Sequence, residues 1–185
     1  MLRQALGLIC CHSLLLIWAE PAFARSYSLW GGQATFKLPT SAKIEEHRAD
    51  GRFPDECVVT PSGRTKNVAA VIVREKLSTA ERTMSFAEYA RRLRKQFAGA
   101  EGVKVVLFSA DRKRQRVRIE VAGLLPDWVP VPIERPKNAK ALGSFVSYRT
   151  EKYSFGAFAI TTSKDWKSRL VAPYRGILKS LRVGR

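Results

Sequence analysis

The sequence predicts an α+β domain in which an antiparallel β-sheet packs against two principal helices. Three stretches carry that expectation. An apolar run, Val68-Ala69-Ala70-Val71-Ile72-Val73, is followed by a charged turn and a helix opening at Ser85. Residues 115–121 alternate, with Val117, Ile119 and Val121 against Arg116, Arg118 and Glu120, the period-two pattern of a strand with one solvated face. A C-terminal stretch repeats Trp166, Leu170, Tyr174, Leu178 and Leu181 at spacings of three and four, which places them on one helical face.

The chain opens with a targeting segment. A short basic start at Met1-Leu2-Arg3 leads into an apolar run to Ala19, interrupted by Cys10-Cys11-His12-Ser13, and Ala22-Phe23-Ala24 supplies the small-x-small pattern of a signal peptidase site. Residues 1–24 are therefore expected to be a secretory signal peptide, cleaved between Ala24 and Arg25, with 25–185 as one domain. The apolar run is short of the about 20 residues that span a bilayer. Leu8-Ile9 before Cys10 does not fit a lipoprotein signal. A periplasmic or secreted protein is the expectation.

Cleavage would remove one arginine and one glutamate, so the formal net charge of +17 survives. It would also remove two of the three cysteines and one of the two histidines, leaving Cys57 and His47. A lone cysteine forms no internal disulfide. Cys57, beside Val58 and Val59, reads as a buried thiol, with a Cys57-linked dimer as the alternative to a monomer. Thiol catalysis would require His47 as its base and a third group to orient it. His47 instead lies in the polar stretch Glu45-Glu46-His47-Arg48-Ala49-Asp50.

The elements follow in order. Arg25 to Gly32 reads as a flexible lead-in, with Tyr27, Leu29 and Trp30 able to pack at an edge. Gln33 to Leu38 is a first strand ended by Pro39, and Thr40 to Glu56 a polar connection. Cys57 to Thr60 is a short strand that should form a hairpin with 67–74 across the turn at Pro61-Ser62-Gly63. Ser85-Phe86-Ala87-Glu88 fits a capping box. Behind it, Phe86, Tyr89, Ala90, Leu93 and Phe97 line one helical face, with Arg91, Arg92, Arg94 and Lys95 mostly on the other. Val103 to Ser109 is a strand, joined to the alternating one by the basic turn Asp111-Arg112-Lys113-Arg114.

Residues 122–139 hold four prolines among apolar residues, which excludes a helix or a central strand. Trp128 and Ile133 there would either fold back as a lid on the core or serve as a partner-binding loop. Residues 141–149 and 153–162 are two further strands. Pro173 conflicts with the last helical pattern and predicts a kink or two short helices.

This order of elements is similar to the Mog1/PsbP-like α/β sandwich, nearest to its bacterial periplasmic DcrB-like branch. The residues that carry the resemblance are Phe36-Lys37-Leu38-Pro39, the apolar strand at 68–73, Ser85-Phe86-Ala87-Glu88-Tyr89 and Ile177-Leu178-Lys179-Ser180-Leu181. The proline-rich stretch and Pro173 stand outside that pattern. The resemblance implies an antiparallel sheet flanked by helices and a binding or assembly module. It offers no catalytic residues and no cofactor to carry over.

Function therefore rests on charge. Basic residues recur at 91–95, at Arg112, Lys113, Arg114, Arg116 and Arg118, and at Lys164, Lys167, Arg169, Arg175 and Lys179. Such a field attracts anionic surfaces, and the run 112–118 is the candidate anion-binding patch. Outside the cytoplasm the expected partners are an envelope protein, lipid head groups or acidic glycans, and nucleic acid is not expected. The favoured reading is a non-catalytic accessory protein docking through a basic face. The alternative is an envelope hydrolase with an acidic or Cys57-based site assembled in space.

Overall fold

The computed structural model describes residues 23–49, 54–62, 67–124, 140–162 and 171–184. Its strands are β1 (Phe23–Leu29), β2 (Ala34–Pro39), β3 (Ala42–His47), β4 (Asp55–Pro61), β5 (Val68–Lys76), β6 (Val103–Asp111), β7 (Arg116–Leu124), β8 (Lys140–Arg149), β9 (Tyr153–Thr161) and β10 (Arg182–Val183). Its α-helices are α1 (Thr79–Thr83), α2 (Phe86–Ala98) and α3 (Ala172–Ser180). The expected α+β class holds: every strand pairing is antiparallel and helices cover the sheet.

The strands form a seven-stranded sheet, ordered β3-β4-β5-β9-β8-β7-β6, and a small sheet, ordered β1-β2-β10. The central strands β5 and β9 explain the layering. Val68, Ala70 and Ile72 belong to a core shared with Phe155, Ala157 and Ala159 of β9, with Phe36 and Leu38 of the small sheet, and with Tyr174, Ile177 and Leu178 of α3. Ala69 of β5, with Phe158 and Ile160 of β9, points the other way, into a second core with Phe86, Tyr89 and Phe97 of α2. Alternate residues thus enter opposite cores. That is why 68–73 is apolar without interruption: a strand covered on both faces has no position to give to water. The hairpin of β4 with β5 forms as expected, with Cys57 opposite Ile72.

Helix α2 starts as its sequence requires. The Ser85 hydroxyl accepts from the Glu88 amide at 3.2 Å, and the Glu88 carboxylate accepts from the Ser85 amide at 2.9 Å. Phe97 then stacks on Phe158 at 5.9 Å and tilts against Phe145 at 5.0 Å between centroids. The buried Tyr89 hydroxyl shares a 2.7 Å hydrogen bond with Ser147 of β8, which lets a polar tip enter the core without loss.

Four expectations need correction. The lead-in 25–32 is largely strand β1, because Tyr27 and Leu29 pair across Phe36 and Ala34 of β2. The polar connection 40–56 contains β3, an edge strand in which only Ala42 and Ile44 alternate with exposed residues before the charged run Glu45-Glu46-His47. The charged turn before α2 holds α1, with a second capping box between Ser78 and Glu81. Strand β7 runs on to Leu124, into the stretch expected to be loop. Pro173 sits in the first turn of α3, where its missing amide has no intrahelical partner to lose; Trp166 and Leu170, and with them the expected kink or split, lie outside the described residues. The two-residue β10, too short to leave a pattern, closes the small sheet against β2. The prolines between 125 and 139 lie outside the described residues.

Candidate functional site

The basic run 112–118 is a structured hairpin tip rather than a uniform patch. Residues 112–115 turn between β6 and β7. The Arg114 amide donates to Asp111 at 3.1 Å, and the Gln115 side chain donates to the Arg112 carbonyl at 2.8 Å. Arg112, Lys113 and Arg114 are exposed there. Arg116 and Arg118 belong to β7 and lie on the sheet face away from α2. Arg116 is half-buried with its guanidinium 5.6 Å from the Tyr148 ring, and Arg118 pairs with Glu120. The patch thus separates into an exposed tip, where the Arg114 guanidinium lies 3.8 Å from Asp111, and two partnered arginines on β7.

The strand that leads to that tip carries further cations along its length, and the neighbouring helix adds others. Strand β6 is the terminal strand of the large sheet, and α2 packs beside it. Arg94 of α2 lies 5.2 Å above the Phe108 ring of β6, and Lys104 of β6 is exposed. Arg91, Arg92 and Lys95 are also exposed on α2, with Arg92 held by Glu81 at 3.0 Å. Among these cations lie Val106 and Leu107, which are 61% and 38% exposed. They are the two large apolar side chains most open to water among the described residues, so apolar and cationic groups share the β6 edge of the sheet. Periodicity could not reveal this grouping, because it depends on β6 taking the last place in the strand order.

The thiol reading does not survive the geometry. Cys57 is fully buried, and its thiol is pushed up to about 12 by burial, then by the nearby carboxylates Glu46 and Glu56. It stays protonated at neutral pH and is no nucleophile. His47 stands opposite Glu56, whereas Cys57 stands opposite Glu46. Neighbouring strand positions face opposite ways, so His47 lies on the other side of the sheet from the thiol. Full burial also removes Cys57 from reach of a second chain, which corrects the disulfide-linked dimer.

Glu45 and Glu46 likewise face opposite ways, and Glu46 accepts a 2.6 Å bond from the Tyr27 hydroxyl. No group of three metal-ligating side chains occurs among the described residues. Trp128 and Ile133 lie outside the described residues, as do Lys164, Lys167 and Arg169.

A second polar cluster, not foreseen from sequence, joins the two sheets. The Arg74 guanidinium of β5 lies 5.1 Å from the Trp30 ring and 5.0 Å from the Tyr153 ring. It donates to Asp55 at 2.9 Å through Nε and to Gln33 at 2.9 Å through Nη1. Burial alone would raise the Asp55 carboxyl, but the Ala49 amide and the Arg74 cation outweigh it and hold it below its usual value. Every partner is satisfied within the chain, so this cluster is a clamp, not a ligand site.

No family model matches the sequence, and a search of curated proteins finds no match. Solved structures do match. The chain is similar to the cyanobacterial PsbP (CyanoP) of Synechocystis, with a TM-score of 0.54 and 10% identity over 86% of this chain and 92% of that one. It is similar also to the Saccharomyces cerevisiae Ran-binding protein Mog1p, with a TM-score of 0.52 and 12% identity over 86% of this chain and 94% of that one. The fold is of the Mog1/PsbP type. At such identities the likeness speaks for architecture, and function must be read from the residues.

Proposed function

We propose that this protein is a non-catalytic accessory protein that docks, through the basic end of its large sheet, to an acidic surface of an envelope protein. One observation carries the reading. Arg94, Lys104 and the 112–114 tip, drawn from a helix, a strand and a turn, share one edge with the exposed Val106 and Leu107. A cationic rim around apolar residues suits association with an acidic partner. That one structural neighbour is a Ran-binding protein makes protein binding a natural use of the fold.

The compartment forms part of the proposal. The charged start, apolar run and Ala22-Phe23-Ala24 site favour export with cleavage before Arg25, and an exported protein of this fold suits the DcrB-like branch. The pairing of β1 with β2 shifts register between Phe23 and Arg25 and is regular from Arg25 onward. Cleavage there would leave the regular ladder whole.

The test is retention of a tagged 25–185 chain on native envelope extract at low and physiological salt, beside the variant Arg94→Glu/Lys104→Glu/Arg112→Glu/Lys113→Glu. A specific protein retained by the wild type and lost by the variant, with melting unchanged, supports docking. Equal retention by both overturns it. Recovery of anionic lipid alone, at low salt only, would transfer the role to a general membrane adhesive.

A further inference from the structure

We infer that the outer edge of β6 is a strand-addition site for an extended acidic segment of the partner. The inference rests on the docking reading above and names how the partner is held. No strand among the described residues pairs with the outer side of β6. An edge strand presents a row of backbone donors and acceptors, which a second extended chain can complete.

The two edges of the large sheet differ. At the β3 edge, Lys43, Glu45, Glu46 and His47 are exposed, a run of mixed sign that discourages pairing. At the β6 edge the exposed side chains include Val106, Leu107 and Lys104. The register shift between Val105 and Leu107 makes Val106 a bulged residue, and the ladder is regular again from Leu107 to Asp111. That regular half is the part a docked strand would extend.

Charge selects the occupant. Lys104 and Arg112 are separated by roughly 25 Å of strand at about 3.4 Å per residue, with Arg94 beside Phe108 between them. Salt confines each charge to about 8 Å at physiological strength. Cations strung along such a line act on an extended polyanion one after another, not together on a compact anion. A lipid head group would neutralise the charges but could not complete the directional backbone groups. A second copy is disfavoured because two chains of +17 repel. A β6-to-β3 contact between copies would also repeat head to tail without closing.

The probes are fluorescein-labelled decapeptides of alternating Glu-Val and of alternating Lys-Val, and vesicles of phosphatidylglycerol in phosphatidylcholine. Binding to the 25–185 chain is read by anisotropy and sedimentation, and the site by amide hydrogen exchange. The Glu-Val peptide should bind and slow exchange of the β6 amides. Lys104→Glu/Arg112→Glu/Lys113→Glu should weaken it about tenfold or more.

Ser109→Pro and Ala110→Pro provide a backbone test. Adjacent amides of a strand point alternately inward and outward, so the proline that leaves melting unchanged has removed an outward amide and should abolish peptide binding. Should both prolines unfold the chain, the exchange pattern of the wild type decides. Equal binding of the Lys-Val peptide, or protection confined to other elements, overturns the inference. Vesicle binding without β6 protection overturns strand addition and leaves an electrostatic docking role standing. Binding of neither probe overturns both. Concentration-dependent growth in light scattering with β6 protected would assign the edge to a second copy instead.

Discussion

Replacing Arg74 by Met should separate the electrostatic part of the clamp between the two sheets from its packing part. The methionine keeps an apolar stem between Trp30 and Tyr153 but removes the guanidinium that bonds Asp55 and Gln33. The two ring contacts, at 5.1 and 5.0 Å, contribute about 0.5–1 kcal/mol each as cation–π interactions. A hydrogen bond to a charged group adds about 1.5–3 kcal/mol. The Arg74 and Asp55 side chains are 18% and 17% exposed, so water screens the pair only in part. The expected loss is about 3 kcal/mol, or a fall in Tm of roughly 6–12 °C for a chain of this size.

The assay is urea unfolding of wild type, Arg74→Met, Asp55→Asn and the double variant, followed by the coupling energy of the cycle. It should be about 1.5–3 kcal/mol at pH 7. The Asp55 carboxyl is held below its unfolded value of about 3.9. Its contribution is therefore complete above that value and lost as the pH falls through the folded pKa. The coupling should shrink as the pH falls from about 5 towards 2. A coupling under about 0.5 kcal/mol at pH 7, or one that grows in acid, would refute the reasoning.

Other predictions follow from the same packing. Phe97→Ala, which empties the contact of α2 with Phe145 and Phe158, should cost about 3–5 kcal/mol, measured by the same unfolding curves. Leu93→Asp puts a charge among the residues packed under α2, and circular dichroism should show loss of the cooperative melt. Gly123→Ala should destabilise by more than about 1 kcal/mol, because φ is +123° and a Cβ would come within 2.0 Å of the Gly102 carbonyl oxygen. Native Cys57 should resist a thiol reagent at pH 8 and react fully in denaturant, while non-reducing gels show a single chain. Rapid native labelling would place the thiol outside the core.

How much of this molecule can be read from its sequence depends on whether a residue's role is local. Ser85 and Glu88 are three positions apart, so their capping box and the face of Phe86, Tyr89 and Phe97 are legible from spacing. Continuous apolarity at 68–73 marks a strand covered on both faces, and alternation at 117–121 one that is half-solvated. Strand β3 is different: only Ala42 and Ile44 turn to the core, an alternation too short to read, and the rest of its pairing with β4 is made by backbone groups common to all residues. Pro173 fits the first turn of α3, where an amide has no intrahelical partner to lose.

The sequence by itself determined the class of fold, the hairpin of β4 with β5, the start and buried face of α2, and a strong positive charge. Each follows from neighbours in the chain and from the cost of leaving apolar groups in water. Only the tertiary structure decided which cations line one edge. Strand order brings Arg94, Lys104 and the 112–114 tip to one edge, places Arg116 and Arg118 on the sheet face away from α2, and separates His47 from Cys57 across the sheet. It also placed Arg74 between Trp30 and Tyr153, where rings and partners from three other stretches of chain converge. Such groupings depend on how strands distant in the chain pair through their backbones, an order that composition and spacing do not record.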